Sequence, residues 1–387
     1  MKAALGLTLS LVLCPVLRAQ GVSDTEIVLG QACALKGQAA GLGSGMQTGL
    51  QVWFDQVNAS GGVHGRKIRL VSVNDGYEPE RCAAAVKMLI EQEKVFAVIG
   101  GVGTPTAKVA VPICTEAKVP FVGAFTGAEL LRAPYNRYVV NVRASYFQET
   151  EALVRHLVDQ RGLQRIACFY QDDAYGQAGL EGMQRALAGR KIELVGKGTY
   201  KRNTLAVAEG LQQIATSKPQ AIVLVGAYAP CAEFMKQAKS DPALREAKLC
   251  NISFVGSDNL LKAAGPAGEG SLISQVVPLP TDASMPLVAE YQAAMKKAGK
   301  QAEIGFISLE GYLVGKVFTE MAQKAGKNLT RDALLEAVAK SSALELGGVS
   351  LAFGPQDNQG CDAVFLTTIH GDKIENVSQP AVAAPAK

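Results

Sequence analysis

Glycine, threonine, tyrosine and aspartate are concentrated where short apolar segments of the chain end. These positions are 31–43, 74–79, 100–106, 123–129, 171–176, 226–230 and 257–259. Their hydroxyls, carboxylates and backbone amides can bind a small polar molecule through directed hydrogen bonds. Thr104 and Thr106 also stand at a predicted helix start after a glycine-rich turn, where backbone amides and the helix dipole favour an anion. A helix N-cap at Thr104, with Pro105 at the first helical position, explains the same residues.

Residues that could support catalysis or hold a metal are scarce. The three histidines, His64, His156 and His370, have no partners at metal-ligand spacing, and neither G-x-S-x-G nor H-E-x-x-H occurs. The glycines at 100–103 are not followed by the Gly-Lys-Ser/Thr of a phosphate loop, and dinucleotide-binding spacing fails at the first strand. We therefore expect no catalytic residues, no cofactor and no metal.

The N-terminus has the pattern of an export signal. A cationic start at Lys2 is followed by a short apolar run and a small residue, Ala19, before Gln20. We expect residues 1–19 to be a signal peptide and the mature protein to be periplasmic. The whole chain of 387 residues carries 39 Lys and Arg against 35 Asp and Glu, a net charge of +4. This near balance is not that of a nucleic-acid binder.

Seven cysteines follow the predicted signal peptide. They are Cys33, Cys82, Cys114, Cys168, Cys231, Cys250 and Cys361. None forms a C-x-x-C pair, which argues against a zinc site or a thioredoxin-like centre. In an oxidising compartment some could be paired. Cys82 with Cys114, and Cys231 with Cys250, are the candidate pairs, and the odd count leaves at least one thiol.

Short apolar segments alternate with amphipathic ones in two series. The first series has strands at 27–29, 68–73, 96–99 and 119–122 and helices at 44–59, 78–93 and 105–117. The second has helices at 147–160, 175–189, 204–216 and 230–239 and strands at 165–170, 192–196, 220–225 and 252–256. This alternation predicts parallel strands joined by right-handed crossovers. Two such series, in a chain too long for one core, predict two doubly wound α/β lobes.

Several motifs resemble those of the branched-chain amino-acid-binding type of periplasmic protein, the solute-binding proteins of ABC importers. They are Ala34-Leu35-Lys36-Gly37, Asn58-Ala59-Ser60-Gly61-Gly62-Val63-His64-Gly65-Arg66-Lys67, Asn74-Asp75-Gly76-Tyr77-Glu78-Pro79, Gly100-Gly101-Val102-Gly103-Thr104-Pro105-Thr106, Tyr175-Gly176, Phe254-Val255-Gly256-Ser257-Asp258 and Gly354-Pro355-Gln356-Asp357-Asn358-Gln359-Gly360. The segment 58–67 is the most specific. Its asparagine and glycines suit a helix end and a turn with positive φ, which is a structural role.

The resemblance implies a type I periplasmic binding fold, in which two parallel-sheet lobes are joined by a three-crossing hinge. We expect an N-terminal lobe of residues 20–143 and 279–352, a C-terminal lobe of 144–278 and 353–377, and a flexible tail at 378–387. The implied function is capture of an amino acid or similar small carboxylate by hinge closure, with delivery to an ABC transporter permease in the inner membrane. The implied protein is a monomer. A periplasmic subunit that presents its ligand to a receptor or kinase would look the same in sequence.

The resemblance also assigns candidate ligand-binding residues. The first lobe would hold the ligand carboxylate, and the second lobe would close on it. The set is Gly103, Thr104, Thr106, Ala124, Thr126, Tyr175, Tyr228, Asp258, Leu42 and Tyr77. Asp258 would pair with an α-ammonium group, although a helix N-cap is the alternative, and the two tyrosines of the second lobe could be wall packing.

Two positions depart from the family pattern at the mouth of the expected cleft. Leu42 stands where the family archetype has an aromatic residue, and Lys36 stands where a small hydroxyl residue is often found. An added cation would favour an acidic or larger ligand over leucine.

Overall fold

The computed structural model describes residues 20–377, so the predicted signal peptide and the predicted tail lie outside the described residues. The strands are β1 Glu26–Cys33, β2 Lys67–Asn74, β3 Ala97–Ile99, β4 Phe121–Val122, β5 Val139–Val140, β6 Ile166–Gln171, β7 Gly196–Tyr200, β8 Ala221–Val225, β9 Lys248–Asn251, β10 Leu272–Gln275, β11 Leu344–Glu345, β12 Ser350–Leu351, β13 Phe365–His370 and β14 Lys373–Asn376. The helices are α1 Ala40–Ala59, α2 Pro79–Glu91, α3 Thr104–Glu116, α4 Tyr146–Val154, α5 Ala174–Ala188, α6 Ala208–Ala215, α7 Tyr228–Ser240, α8 Ser257–Ala264, α9 Pro286–Lys297, α10 Phe306–Ala325 and α11 Arg331–Ala339. A π-helical segment, Arg155–Gln160, continues α4.

The first sheet is wholly parallel, with the strand order β2-β1-β3-β4-β5. The short strands β3, β4 and β5 are apolar and buried, as expected for a parallel sheet covered on both faces, whereas the edge strand β2 is only partly buried. Helices α2 and α3 pack together over one face, while α1 packs with α9 and α10, which come from far along the chain. We call the first sheet with α1–α3 and α9–α11 unit A.

The second sheet has the order β14-β13-β10-β9-β8-β6-β7, in which β13 pairs antiparallel with both β10 and β14, and the other pairings are parallel. Helices α4 to α8 cover it, and with the sheet they form unit B. The chain therefore passes between the units three times, after β5, after β10 and before β13. The residue boundaries of the two lobes stay a prediction. Within residues 20–377, no helix is long and apolar enough to cross a membrane.

Two strand predictions were wrong. The apolar run at 192–196 leads up to β7, which begins only at Gly196 and pairs with β6 through Tyr200. Residues 252–256 do not form a strand: Ser253–Val255 is a 3₁₀ turn, and the preceding strand is β9. In both runs apolar side chains pack against the core, and periodicity alone cannot distinguish such a segment from a strand.

The predicted cysteine pairs are also wrong, because all seven cysteines of the described chain are buried free thiols. Cys231 and Cys250 belong to hydrophobic clusters on opposite faces of the second sheet, so the sheet separates them. Cys82 and Cys114 share a cluster, but the Cys82 thiol donates to the carbonyl of Thr106, with a sulfur–oxygen distance of 3.7 Å. Burial raises the pKa of Cys114 to about 12, which keeps that thiol protonated and unreactive.

The contact between α1 and α10 depends on small residues. A Cβ atom added at Gly49 would lie 2.0 Å from the carbonyl oxygen of Ser308, and one at Gly311 would lie 2.5 Å from that of Met46. No side chain fits at either position without separating the helices. Trp53 crosses the same seam and donates its indole N–H to Thr319, at 2.9 Å. The core of unit A is therefore completed by a helix from the last quarter of the chain.

Candidate functional site

Three hydroxyl groups form a chain at the carboxyl ends of the strands of unit A. The Oγ1 atoms of Thr104 and Thr126 lie 2.7 Å apart, and Thr126 Oγ1 is 3.2 Å from the Tyr146 hydroxyl. All three residues are fully buried. The turn before α3 brings Thr104 here, because Gly103 has φ of +100° and serves as the helix N-cap. The alternative of a Thr104 N-cap is thus wrong, and its hydroxyl belongs to this hydroxyl chain.

Aromatic rings from both units close over the hydroxyl chain. Phe254 lies at their centre, with ring centroids 4.3 Å from Tyr175, 5.4 Å from Phe125 and 5.9 Å from Tyr77. Tyr175 also packs on Tyr146 at 5.6 Å. None of these five side chains is more than 1 % exposed. We call them the ring cluster; it gives the site an apolar wall with polar edges.

The Tyr175 hydroxyl is buried and has no hydrogen-bond partner. Asp173 caps helix α5 by accepting the backbone N–H of Tyr175, which fixes where the ring enters the cluster. Burial, together with neighbouring phenols, raises the pKa of Tyr175 well above its usual range, so the group is a neutral donor. A buried donor without a partner is costly unless something binds it, so this hydroxyl is a suitable contact for a ligand.

The remaining predicted residues of the first lobe face other partners. The Thr106 hydroxyl donates back to the carbonyl oxygens of Val102 and Gly103 at the start of α3. Ala124 is buried in the hydrophobic cluster under α2 and α3. The Tyr77 ring packs against Gly103, and its hydroxyl accepts from Gln171 Nε2 at 3.1 Å. Only Tyr77 among these reaches across to unit B.

Leu42, Tyr228 and Asp258 lie at a different edge of the contact between the units. The N–H of Gly41 donates to the Tyr228 hydroxyl at 3.3 Å, and the Leu42 side chain packs against Gly256. Asp258 is in the first turn of α8, yet its carboxylate accepts the N–H of Phe306 at 2.8 Å. It therefore caps α10 in the opposite unit, and not its own helix.

Burial raises the pKa of Asp258, against the effect of the hydrogen bond from Phe306. No hydrogen bond links the Asp258 carboxylate to the hydroxyl chain. The structure thus brings Thr104, Thr126, Tyr175 and Tyr77 together, with Gly103 shaping the turn, and places Asp258 with Tyr228 and Leu42. Lys36 is exposed, and its backbone is held by Asn74.

Sequence reasoning missed a buried charged group beside the ring cluster. Arg143 is 2 % exposed, and it pairs with Glu149 at 2.8 Å and with Glu310 at 3.4 Å. Its guanidinium group also lies over the rings of Phe125 and Tyr146, at 5.1 and 5.8 Å. We call Arg143, Glu149 and Glu310 the buried ion group.

The buried ion group joins the two units. Glu149 of α4 also accepts the N–H of Ser253 at 2.8 Å and the Ser274 hydroxyl at 2.6 Å, whereas Glu310 belongs to α10 of unit A. Burial, reinforced by the charge of Glu149, raises the pKa of Glu310 to about 7, although Arg143 opposes the shift. The sequence feature that could have indicated this group was the position of Arg143 at the first predicted connection between the lobes. Nothing in the sequence connects it to Glu310, 167 residues away.

Comparison with known proteins places this geometry in a family. Residues 26–373 match the family model described as "Periplasmic binding protein". The Leu/Ile/Val-binding protein homolog 7 of Brucella abortus is 23 % identical over 354 residues, covering 87 % of each chain. Within residues 20–377, no group of three or more His, Cys, Asp or Glu residues is placed to hold a metal ion.

Two solved structures have the same architecture. A possible leucine/isoleucine/valine-binding protein from Rhodopirellula baltica superposes with a TM-score of 0.87 at 34 % identity, covering 92 % of this chain and 96 % of the other. A substrate-binding periplasmic protein from Ralstonia solanacearum gives 0.85 at 26 % identity, covering 91 % and 100 %. The resemblance inferred from the motifs is confirmed. The chain belongs to the periplasmic binding protein family and has its type I α/β fold.

Proposed function

We propose that this chain is the extracytoplasmic solute-binding protein of an ABC importer, and that it binds an amino acid or similar small carboxylate between units A and B. The units would be the two lobes, which close about the three connections and present the closed form to an inner-membrane permease. The observation that carries the proposal is the buried hydroxyl chain of Thr104, Thr126 and Tyr146 under rings from both units. The names of the relatives support the ligand class.

The ligand carboxylate would take the place between the hydroxyl chain and the free Tyr175 hydroxyl. Each of these groups can donate a hydrogen bond, and bonds to a charged acceptor are stronger than neutral ones. An α-ammonium group would use Asp258 after the units open, since its carboxylate is now held by one backbone N–H. The ring cluster would contact the apolar part of the ligand.

A thermal-shift screen of residues 20–387 tests the proposal. The panel comprises α-amino acids, small mono- and dicarboxylates, aromatic acids, amides and nucleobases. A ligand at 100 times its dissociation constant adds about 2.7 kcal/mol of stability, which is readily detected. We expect stabilisation by an amino acid or a small carboxylate. Stabilisation only by amides or nucleobases would contradict the proposed ligand class.

Replacing Thr126 with valine is expected to weaken the ligand at least about tenfold. Valine keeps the shape of threonine but removes the hydroxyl at the centre of the hydroxyl chain, and a lost hydrogen bond to a charged group costs roughly 1.5–3 kcal/mol. Isothermal titration of the two proteins measures the change. Thr319→Val is the matched control, because it removes a buried threonine hydroxyl that bonds with Trp53 and with the Lys316 carbonyl within unit A. Equal affinities for the wild type and Thr126→Val would remove this residue from the site.

Replacing Asp258 with asparagine separates its two roles. The amide oxygen can still accept the Phe306 N–H, so the cap on α10 is kept while the charge is lost. If Asp258 pairs with an ammonium group, the affinity for an amino acid falls at least about tenfold, as expected for a charge-assisted bond. The affinity for the matching acid without an amino group stays the same. Isothermal titration with both compounds measures the two affinities. An unchanged affinity for the amino acid would show that Asp258 caps α10 and does not bind the ligand.

A further inference from the structure

Two residues of the loop that follows β7 in unit B form hydrogen bonds with unit A. Arg202 Nη2 donates to Glu78 Oε2 at 2.8 Å, and Asn203 Nδ2 donates to Glu78 Oε1 at 2.7 Å and to the Gly76 carbonyl at 3.1 Å. Glu78 and Gly76 belong to the loop between β2 and α2 of unit A. These bonds cross between the units, and they can exist only when the units are in contact.

The same arginine is tied to the residues that order the site. Its Nη1 donates to Asp173 Oδ2 at 2.9 Å, and Asp173 is the residue that caps α5 at Tyr175. The guanidinium group also lies over the Tyr77 ring, 5.9 Å from its centroid. The Arg202 side chain is 20 % exposed, that of Asp173 is 12 % exposed and that of Glu78 is 37 % exposed, so the guanidinium group is partly shielded from solvent in both pairs.

We infer that Arg202 and Asn203 form a latch that holds the two units together and sets the rate at which a bound ligand is released. The inference rests on the proposed function in one respect, because release presupposes a ligand between the units. The hydrogen bonds of Arg202 and Asn203 go to Glu78, Gly76 and Asp173 and not to the hydroxyl chain, so we expect the loss of the bonds to Glu78 to act on opening. Arg202 and Asn203 are positioning residues: they hold the units in contact through their bonds to Glu78.

The opposite edge of the contact provides a readout that needs no ligand. There, the N–H groups of Gly41 and Phe306 donate across the units to Tyr228 and Asp258. Their amide hydrogens exchange with solvent when the units separate. Neither amide is bonded to the latch, so faster exchange at these two positions reports opening of the whole contact.

The experiment compares the wild type with Arg202→Gln and Glu78→Gln in the protein of residues 20–387. We expect hydrogen exchange at Gly41 and Phe306 to become about tenfold faster in both variants, a change equivalent to about 1.4 kcal/mol. With L-leucine as the probe, stopped-flow measurement should give a dissociation rate about tenfold higher and an association rate within about twofold of the wild type.

Arg190→Gln is the matched control. Arg190 pairs with Glu151 and Asp159 at 2.7 and 2.6 Å, but all three residues are in unit B. Unchanged exchange in Arg202→Gln, or an equal acceleration in Arg190→Gln, would overturn the latch. If exchange accelerates only in the latch variants while L-leucine fails to bind the wild type, the latch stands and the assignment of this ligand fails.

Discussion

Replacing Arg143 with methionine is expected to lower the free energy of unfolding by about 3–5 kcal/mol. The substitution keeps the length and apolar body of the side chain but leaves Glu149 and Glu310 buried without their cation. An unpaired buried charge cannot be hydrated, and its cost exceeds what the pair itself contributes. Unfolding in urea, followed by circular dichroism, measures the loss.

Arg190→Met is the control for this prediction, since its ion pairs are formed with carboxylates that are almost half exposed. Such pairs contribute about 0–1 kcal/mol. If both variants lose the same small amount, the buried ion group is hydrated in solution and does not determine stability. A large loss only in Arg143→Met supports the arrangement in which one cation satisfies carboxylates from both units.

Replacing Glu310 with glutamine is expected to change how stability depends on pH. The pKa of Glu310 is raised from 4.5 to about 7, so the folded protein keeps a proton that the unfolded chain releases near pH 4.5. The resulting stabilisation is fully present below pH 4.5 and is lost as the pH rises through 7. At 1.36 kcal/mol per pKa unit, the loss is roughly 3 kcal/mol. Glutamine does not titrate, so the free energy of unfolding of Glu310→Gln is expected to rise by this amount relative to the wild type between pH 4.5 and pH 7.

Urea titrations of both proteins between pH 4.5 and 7.5 test the sign and the size of this effect. Arg143, Glu149, Arg132 and Cys361 face Glu310 and are kept in both proteins. Glu303→Gln is a control in which the pH dependence of stability should change in the opposite direction. Partial burial favours a higher pKa for Glu303, but the bonds from Lys300 and Thr48 outweigh it and lower the pKa. Parallel stability curves for the wild type and Glu310→Gln would contradict the prediction.

Local chemistry allowed much of the fold to be predicted. The turn at 58–67 is an example: Asn58 closes it with two bonds to the backbone of Ile68, at 2.7 and 2.8 Å, and Gly61 and Gly62 have φ of +98° and +75°. Such motifs can be predicted from sequence because all the residues that interact in them are close together in the chain. The position of Thr104 was likewise predictable, because the glycine turn before it and the helix that begins there are both local in sequence.

Long-range partners could not be read from the sequence. Phe254 is central to the ring cluster, but an apolar run predicted a strand there, because burial against rings and burial in a sheet require the same residue types. Arg202 and Glu78 are 124 residues apart, and each looks like an ordinary surface charge. Asp258 was expected to face a ligand or cap its own helix, and its bond to Phe306 depends on how the units meet.

The seam between α1 and α10 also governs when the protein can fold. Trp53 of α1 and Thr319 of α10 are 266 residues apart, and Gly49 and Gly311 allow the close approach of the two helices. A nascent chain that ends at residue 143 has the whole first sheet but no cover for the inner face of α1, so this apolar face stays in water. The core of unit A can therefore form only after α10 has been made, although its sheet comes first in the chain, and contacts over this sequence distance are expected to slow its folding.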